Sequence, residues 1–209
     1  MFLQKIKNIT IIILCASFIT SCNQSISYKR PQIFANFGSF ECDTKKLANN
    51  QYNNIWDKVR SGFCLDTVHS SRVDKEILWF QNNKDFLYRS IDRAKPFLYH
   101  VLHELEKNNL PFELALLPIV ESGYQPYAYS PSKAAGIWQF IPPTAREYGL
   151  KKNWWYDGRR DIFASTKAAS HFLRDMKRHF KGDWLLAIAS YNTGAGNVGK
   201  SIKKANYTI

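Results

Sequence analysis

The sequence predicts an all-α fold, and three observations carry that prediction. From Ile55 onward, apolar residues recur at the three- and four-residue spacing of helix faces. Asp161 and Asp183 stand immediately before such runs, where an N-cap belongs, and Pro96 and Pro111 suit first helical turns. No run alternates convincingly at period two, so residues 51–209 read as one mainly helical domain of ordinary size.

The elements follow in order. Asp74 to Gln81 and Asp85 to Arg93 are short amphipathic segments, and Pro96 is expected to start another that runs to about Asn108. Asp161 to Lys181 is the clearest helix: Ile162, Ala169, Phe172, Leu173, Met176 and Phe180 form a stripe opposite Arg174, Lys177 and Arg178. Asp183 caps an apolar helix over Trp184 to Tyr191. Trp79, Phe80, Phe97, Phe172 and Trp184 fit helical stripes and are expected in the core, and the triplet Trp154, Trp155 and Tyr156 is assigned to the core ahead of a ligand surface.

One carboxylate stands out. After Pro111, Leu114, Leu117 and Glu121 share a helix face at i, i+3 and i+7, so Glu121 continues an apolar stripe near a helix C-terminus. Poor solvation and the negative end of the helix dipole both favour its protonated form, which a proton donor near neutral pH requires. The competing reading is that Pro118 interrupts the helix and leaves Glu121 in a solvated turn before Ser122 and Gly123.

At the N-terminus, two lysines, an apolar core from Ile9 to Ile19 and small residues before Cys22 form an export signal too short to span a bilayer. The ending Ile19-Thr20-Ser21-Cys22 resembles the lipobox of bacterial lipoproteins, which implies removal of residues 1–21 and lipidation of Cys22. An ordinary secretory signal with an incidental cysteine is the alternative. The lipobox resemblance implies a periplasm-facing protein held by a lipid anchor, and Asn23 after the cysteine implies the outer membrane. Residues 22–50, rich in Asn, Ser, Gln and Lys, read as a tether.

The formal charge of +12 becomes +10 once Lys5 and Lys7 leave with the signal. A basic exported chain points to an anionic polymer or membrane and excludes nucleic acid as a partner. The basic pairs, Arg159-Arg160 among them, read as solvated faces. Cys42 and Cys64 can form a disulfide in an oxidising compartment or remain free thiols. Gly194-Ala195-Gly196-Asn197-Val198-Gly199 has GxGxxG spacing without the strand that a dinucleotide loop needs, and His100 and His103 do not form a zinc motif. No metal and no cofactor is expected.

Glu121-Ser122, Gly136-Ile137-Trp138-Gln139 and Ala189-Ser190-Tyr191-Asn192 resemble the three ordered motifs of lytic murein transglycosylases with a goose-type lysozyme fold. The flanks LALLPIVES, AAGIWQFIP, RRDIFAST and GDWLLAIASYNTG are most similar to the membrane-bound D type, over roughly residues 55 to 200. The resemblance implies cleavage of the β-1,4 bond between N-acetylmuramic acid and N-acetylglucosamine in peptidoglycan, leaving 1,6-anhydromuramic ends. It makes Glu121 the catalytic acid and then base, has Ser122 steady it, and has Gln139 and Asn192 hydrogen-bond the sugar. Gly136 would admit the backbone close to the glycan, and Trp138 and Tyr191, with Tyr124, Tyr127 and Tyr129, would line a sugar groove. Of the other acids, Glu113 and Glu147 read as exposed helix residues and Asp157 and Asp161 as turn and cap residues, so no second catalytic carboxylate is evident.

The family's catalytic domain continues past the Tyr-Asn motif and is often followed by LysM repeats, whereas this sequence ends at Ile209. The expectation is a domain incomplete at its C-terminus. That leaves two functions, an active lytic transglycosylase and a catalytically incompetent peptidoglycan-binding lipoprotein or remnant.

Overall fold

A computed structural model describes residues 52–205. The export signal, Cys22, the tether and Cys42 lie outside the described residues. Cys64 is disulfide-bonded.

The described residues are helical as expected and contain no strand beyond isolated bridges. Helix α1 spans Ile55–Ser61, α2 Ser71–Asn82 and α3 Lys84–Lys107. A 3-10 helix, Phe112–Leu116, leads into α4, Leu117–Ser122. Then come α5, Pro142–Glu147, α6, Ile162–His179, α7, Trp184–Thr193, and α8, Ala195–Lys204. Four of these starts carry the side-chain caps their sequences call for. Asn54, Ser70, Asp161 and Asp183 accept the N–H groups of Asp57, Val73, Ala164 and Leu186, at 3.0, 3.2, 2.9 and 3.0 Å.

Helix α3 is the spine. Its buried residues Leu87, Ala94, Leu98, Val101, Leu102 and Leu105 form one stripe, against which the 3-10 helix, α4 and α6 pack. The sequence predicted a new helix at Pro96, but α3 runs through it unbroken. Pro96 and Asp92, whose carbonyl loses its donor, are both exposed, so the missing bond falls on the solvent side of α3 and not in the core. Helix α8 went unread in the sequence. Gly194, φ +85°, precedes it as N-cap, and its first residues are those of the GxGxxG spacing, which here opens a helix after a helix.

The segment from Pro111 is not one helix. It is wound as 3-10 up to Leu116 and as α from Leu117, which places Pro118 in the first turn of α4 where no intrahelical donor is lost. Its start is clamped from outside. Phe112 donates its N–H to the Gly62 carbonyl at 3.1 Å, and the Phe112 ring fills the space a Gly62 Cβ would take, 2.2 Å away.

Glu113, expected on an exposed helix face, is instead fully buried. Its Oε1 accepts the N–H groups of Cys64 and Leu65 at 2.6 and 2.8 Å, satisfying two donors of the loop after α1, while Oε2 has no hydrogen-bond partner. Burial raises its pKa to about 7 against the opposing effect of those bonds. The residue was misread because its partners are backbone groups almost fifty positions earlier.

Replacing Pro96 with alanine restores the missing donor on an otherwise regular exposed turn. The Pro96→Ala variant is expected to gain roughly 1–3 kcal/mol, read as a raised urea midpoint with an unchanged slope.

Candidate active site

Glu121 lies in the last turn of α4, and the chain immediately after it fixes where that turn ends. Gly123, φ +59°, and Tyr124, φ +57°, are both left-handed, and their N–H groups return to the carbonyls of Ile119 and Pro118 at 3.0 Å each. Tyr124 folds back into the core and donates its hydroxyl to the Ala115 carbonyl at 2.6 Å. A side chain tolerates this strained backbone here because the ring is locked by packing and by that bond.

The carboxyl group of Glu121 is partly buried and has no hydrogen bond or ion pair among the described residues. Desolvation alone raises its pKa to about 7. Of the two readings left open by the sequence, the desolvated one holds, even though Pro118 does alter the helix. The neighbouring Tyr191 hydroxyl titrates well above its usual range, through burial and then through the charge of Glu121, which places the two groups within electrostatic reach.

The three motifs meet through backbone carbonyls. Ser122 Oγ shares its proton between the carbonyls of Ile137, 3.0 Å, and Pro118, 3.2 Å, joining α4 to the Gly-Ile-Trp-Gln loop. Tyr191 donates its hydroxyl to the Trp138 carbonyl at 2.6 Å, joining α7 to the same loop. Its ring lies among those of Trp138, Phe140 and Phe172, with centroids 6.4, 6.2 and 5.3 Å away.

The loop is built differently from the expectation. Trp138 is fully buried and donates Nε1–H to Thr166 Oγ1 at 2.9 Å, so its ring is a core member closed to a sugar. Tyr124 is closed in the same way, whereas Tyr127 and Tyr129 are exposed. Gly136, φ +80°, is required by the protein itself: a Cβ there would sit 1.8 Å from the Arg159 carbonyl oxygen. Gln139, φ +49°, donates Nε2–H to the Gly136 carbonyl at 2.8 Å. Asn192 is exposed at the end of α7.

Arg159 was read as part of a solvated basic pair and is in fact buried. It forms a two-point ion pair with Asp157, at 2.9 and 2.6 Å, which holds the aspartate below the usual carboxylate range. The same guanidinium donates to the carbonyls of Lys133, 2.6 Å, and Phe140, 3.3 Å, so it braces the motif loop from behind. Arg160 remains exposed, over the Tyr129 ring. Aspartate two residues before an arginine was the only local signal of this brace. The triplet Trp154, Trp155 and Tyr156, assigned to the core, is exposed, because the Lys152–Asp157 bridge turns it outward as a hairpin tip. Trp79 is also half exposed, lying edge-on against Phe80 and Phe86 at the rim of the core.

The other acids are engaged elsewhere or solvated. Glu113 is bound to the Cys64–Leu65 loop, Asp157 to Arg159, and Asp161 to the start of α6, while Glu147 is exposed. Clefts of about 510 and 420 Å³ elsewhere on the surface do not include Glu121. The environment of the carboxyl group, rather than concavity, marks the site.

Two outcomes follow. Gly136→Ala is expected to cost more than about 3 kcal/mol, read as a large fall in Tm, since both the left-handed backbone and the Arg159 carbonyl oppose a Cβ. For Glu121, the folded-state pKa of about 7 exceeds the ordinary glutamate value of 4.5, so the folded state holds the proton more tightly and loses stability as pH rises from 4.5 through 7. Glu121→Gln is therefore expected to be more stable than the parent at pH 8 by about 1–3 kcal/mol, a gain that disappears below pH ~4.5.

Residues 102–208 match the family model described as Transglycosylase SLT domain. The chain is 42% identical over 149 residues to the membrane-bound lytic murein transglycosylase D of Escherichia coli strain K12, a match covering 71% of this chain and 33% of that protein. It is 46% identical over 121 residues to a putative tributyltin chloride resistance protein of Alteromonas sp. strain M-1, covering 56% and 58% respectively. A putative soluble lytic murein transglycosylase of Haemophilus influenzae is 29% identical over 89 residues, 41% of this chain and 15% of that one. The matched region is thus about a third of the length of the first of these relatives. With the three motifs joined around Glu121 and the family model covering half of the sequence, this chain belongs to the SLT-domain transglycosylase family, whose fold is lysozyme-like.

Proposed function

We propose that the chain is a peptidoglycan lytic transglycosylase that cleaves the β-1,4 bond between N-acetylmuramic acid and N-acetylglucosamine and leaves a 1,6-anhydromuramic end. The observation that carries this reading is the state of Glu121, a carboxyl group with no counter-ion among the described residues, whose pKa near 7 leaves it able to give and to take a proton. The names of the Escherichia coli and Haemophilus influenzae relatives support the substrate class.

In this scheme Glu121 donates its proton to the glycosidic oxygen as the bond from C1 of the muramic acid to that oxygen breaks, the bonding pair leaving with the oxygen. The 6-hydroxyl of the same sugar attacks C1, and the Glu121 carboxylate takes its proton. One C–O bond is lost, one is gained, and a single proton passes from O6 to the leaving oxygen through Glu121. No water and no second carboxylate is consumed, consistent with the engagement of the remaining acids. Intramolecular attack has a large effective concentration over water.

Ser122 and Tyr191 act by position, holding the Gly-Ile-Trp-Gln loop against α4 and α7 through the carbonyls of Ile137 and Trp138. Gln139 and Asn192 bind the sugar's N-acetyl and hydroxyl groups, a role that the exposure of Asn192 supports. Gly136 and Trp138 shape the loop from inside.

For the remainder of the sequence, residues 1–21 act as a lipoprotein signal, Cys22 carries the lipid, 22–50 form the tether and 51–209 the catalytic domain. The protein then works on the periplasmic face of the outer membrane. The lipobox-like sequence and the membrane-bound character named for the Escherichia coli relative support this placement.

Incubation with peptidoglycan sacculi and mass spectrometry of the products tests the reading. Anhydromuramyl products are expected, falling by at least roughly a thousandfold in Glu121→Gln, since the variant lacks both proton donor and acceptor. Reducing-end products would indicate hydrolysis, and no products from folded protein would leave only wall binding. Because Glu121 must carry its proton at the start of the cycle, kcat/KM is expected to decline above an apparent pKa of about 7.

A further inference from the structure

Trp154 and Trp155 are 88% and 90% exposed, at the tip of the hairpin closed by the Lys152–Asp157 bridge. The tip is ordered from within, since Asn153 Oδ1 accepts the N–H groups of Trp155 and Tyr156 at 2.9 and 2.8 Å. Two indoles held in water forgo the burial that such large apolar rings usually find, which marks the tip as a surface for a ligand.

Trp154 forms one wall of the cleft of about 510 Å³; Pro142, Ala145 and Arg146 of α5 contribute to its lining, and so does Leu150. Two charged groups in it, Asp157 and Arg159, are closed on each other. The side chains of Arg146 and Lys152 have no hydrogen bond or ion pair among the described residues. The cleft therefore offers an open aromatic face, an apolar lining and two exposed cations, Arg146 and Lys152, the second also within electrostatic reach of Asp157, a combination that suits a sugar or apolar surface carrying carboxylates. The cleft of about 420 Å³ is also basic, but Arg174, Arg178 and Lys177 there are already engaged by Asn108, Asp175 and the Trp184 ring.

We propose that the Trp154 cleft is a binding site for the acidic peptide stem of peptidoglycan, with Arg146 and Lys152 receiving its carboxylates and Trp154 covering the stem where it leaves the sugar. This rests on peptidoglycan being the substrate. The hairpin base and the motif loop form one unit through the bonds of Arg159 to Lys133 and Phe140 and the contact of Gly136 with Arg159. A stem seated at Trp154 thus has a fixed relation to a glycan seated at Glu121. The cations lie inside a concave cleft, which favours a carboxylate-bearing chain over a flat membrane surface.

The test uses protein carrying Glu121→Gln, so that binding is read without turnover. Calorimetry compares the disaccharide of N-acetylglucosamine and N-acetylmuramic acid bearing a tetrapeptide with the same disaccharide lacking it. The peptide-bearing probe is expected to bind roughly tenfold tighter or more. Arg146→Ala with Lys152→Ala should remove that preference and leave binding of the bare disaccharide unchanged, and Trp154→Ala should weaken the peptide-bearing probe alone.

Equal binding of the two probes, or a preference that survives the double substitution, overturns the proposal. So does a result in which these substitutions abolish association with phosphatidylglycerol-containing vesicles while leaving the preference intact, which would give the surface to the membrane. Failure of the transglycosylase reading would appear separately, as absence of anhydromuramyl products from the parent protein.

Discussion

The site depends on withholding water and partners from a single carboxyl group. Among the described residues Glu121 has no cation or backbone donor to stabilise its charge, so desolvation acts unopposed and brings its pKa to about 7. Glu113 shows the contrast within the same segment. It is more deeply buried but accepts two N–H groups, and those bonds hold back the rise that burial imposes. One carboxylate joins pieces of the fold, and the other is left free to exchange a proton.

Keeping Glu121 uncommitted requires everything around it to be fixed by other means. The 3-10 helix is clamped at its start by Gly62 and the Cys64–Leu65 loop, and α4 is closed at its end by the left-handed pair Gly123 and Tyr124. Ser122 and Tyr191 then tie the intervening loop to α4 and α7 through main-chain carbonyls, and Arg159 braces that loop from behind. Most residues of the three motifs are thus architectural, setting backbone positions while only a few side chains face outward. This division explains why Trp138 and Tyr124, which have the composition of sugar-stacking rings, are core residues.

Much of this was legible in the sequence, because periodicity and caps are local signals. The α6 and α7 helices and their Asp161 and Asp183 caps follow from residues within a few positions of each other, and so does the poor solvation of Glu121, although the single helix expected from Pro111 to Glu121 is wound as 3-10 up to Leu116 and as α from Leu117. What could not be read depended on distant backbone. Glu113 is buried by a loop almost fifty residues earlier, Arg159 by carbonyls of Lys133 and Phe140, and Gly136 is explained by the Arg159 main chain rather than by a ligand. The Trp154-Trp155-Tyr156 triplet was assigned to the core because large apolar residues usually go there, and a hairpin that turns them outward has no periodic signature. Pro96 misled in the opposite sense, since its effect depends on which face of α3 it occupies.

The central claim is that Glu121 is held near half protonation at neutral pH by its surroundings. The most direct measurement is a pH titration of its side-chain carboxyl carbon by NMR, assigned by comparison with Glu121→Gln. A midpoint of about 7 is the predicted result. A midpoint near the ordinary glutamate value of 4.5 would mean that the group is solvated or neutralised, and would contradict the account of Glu121 as both acid and base.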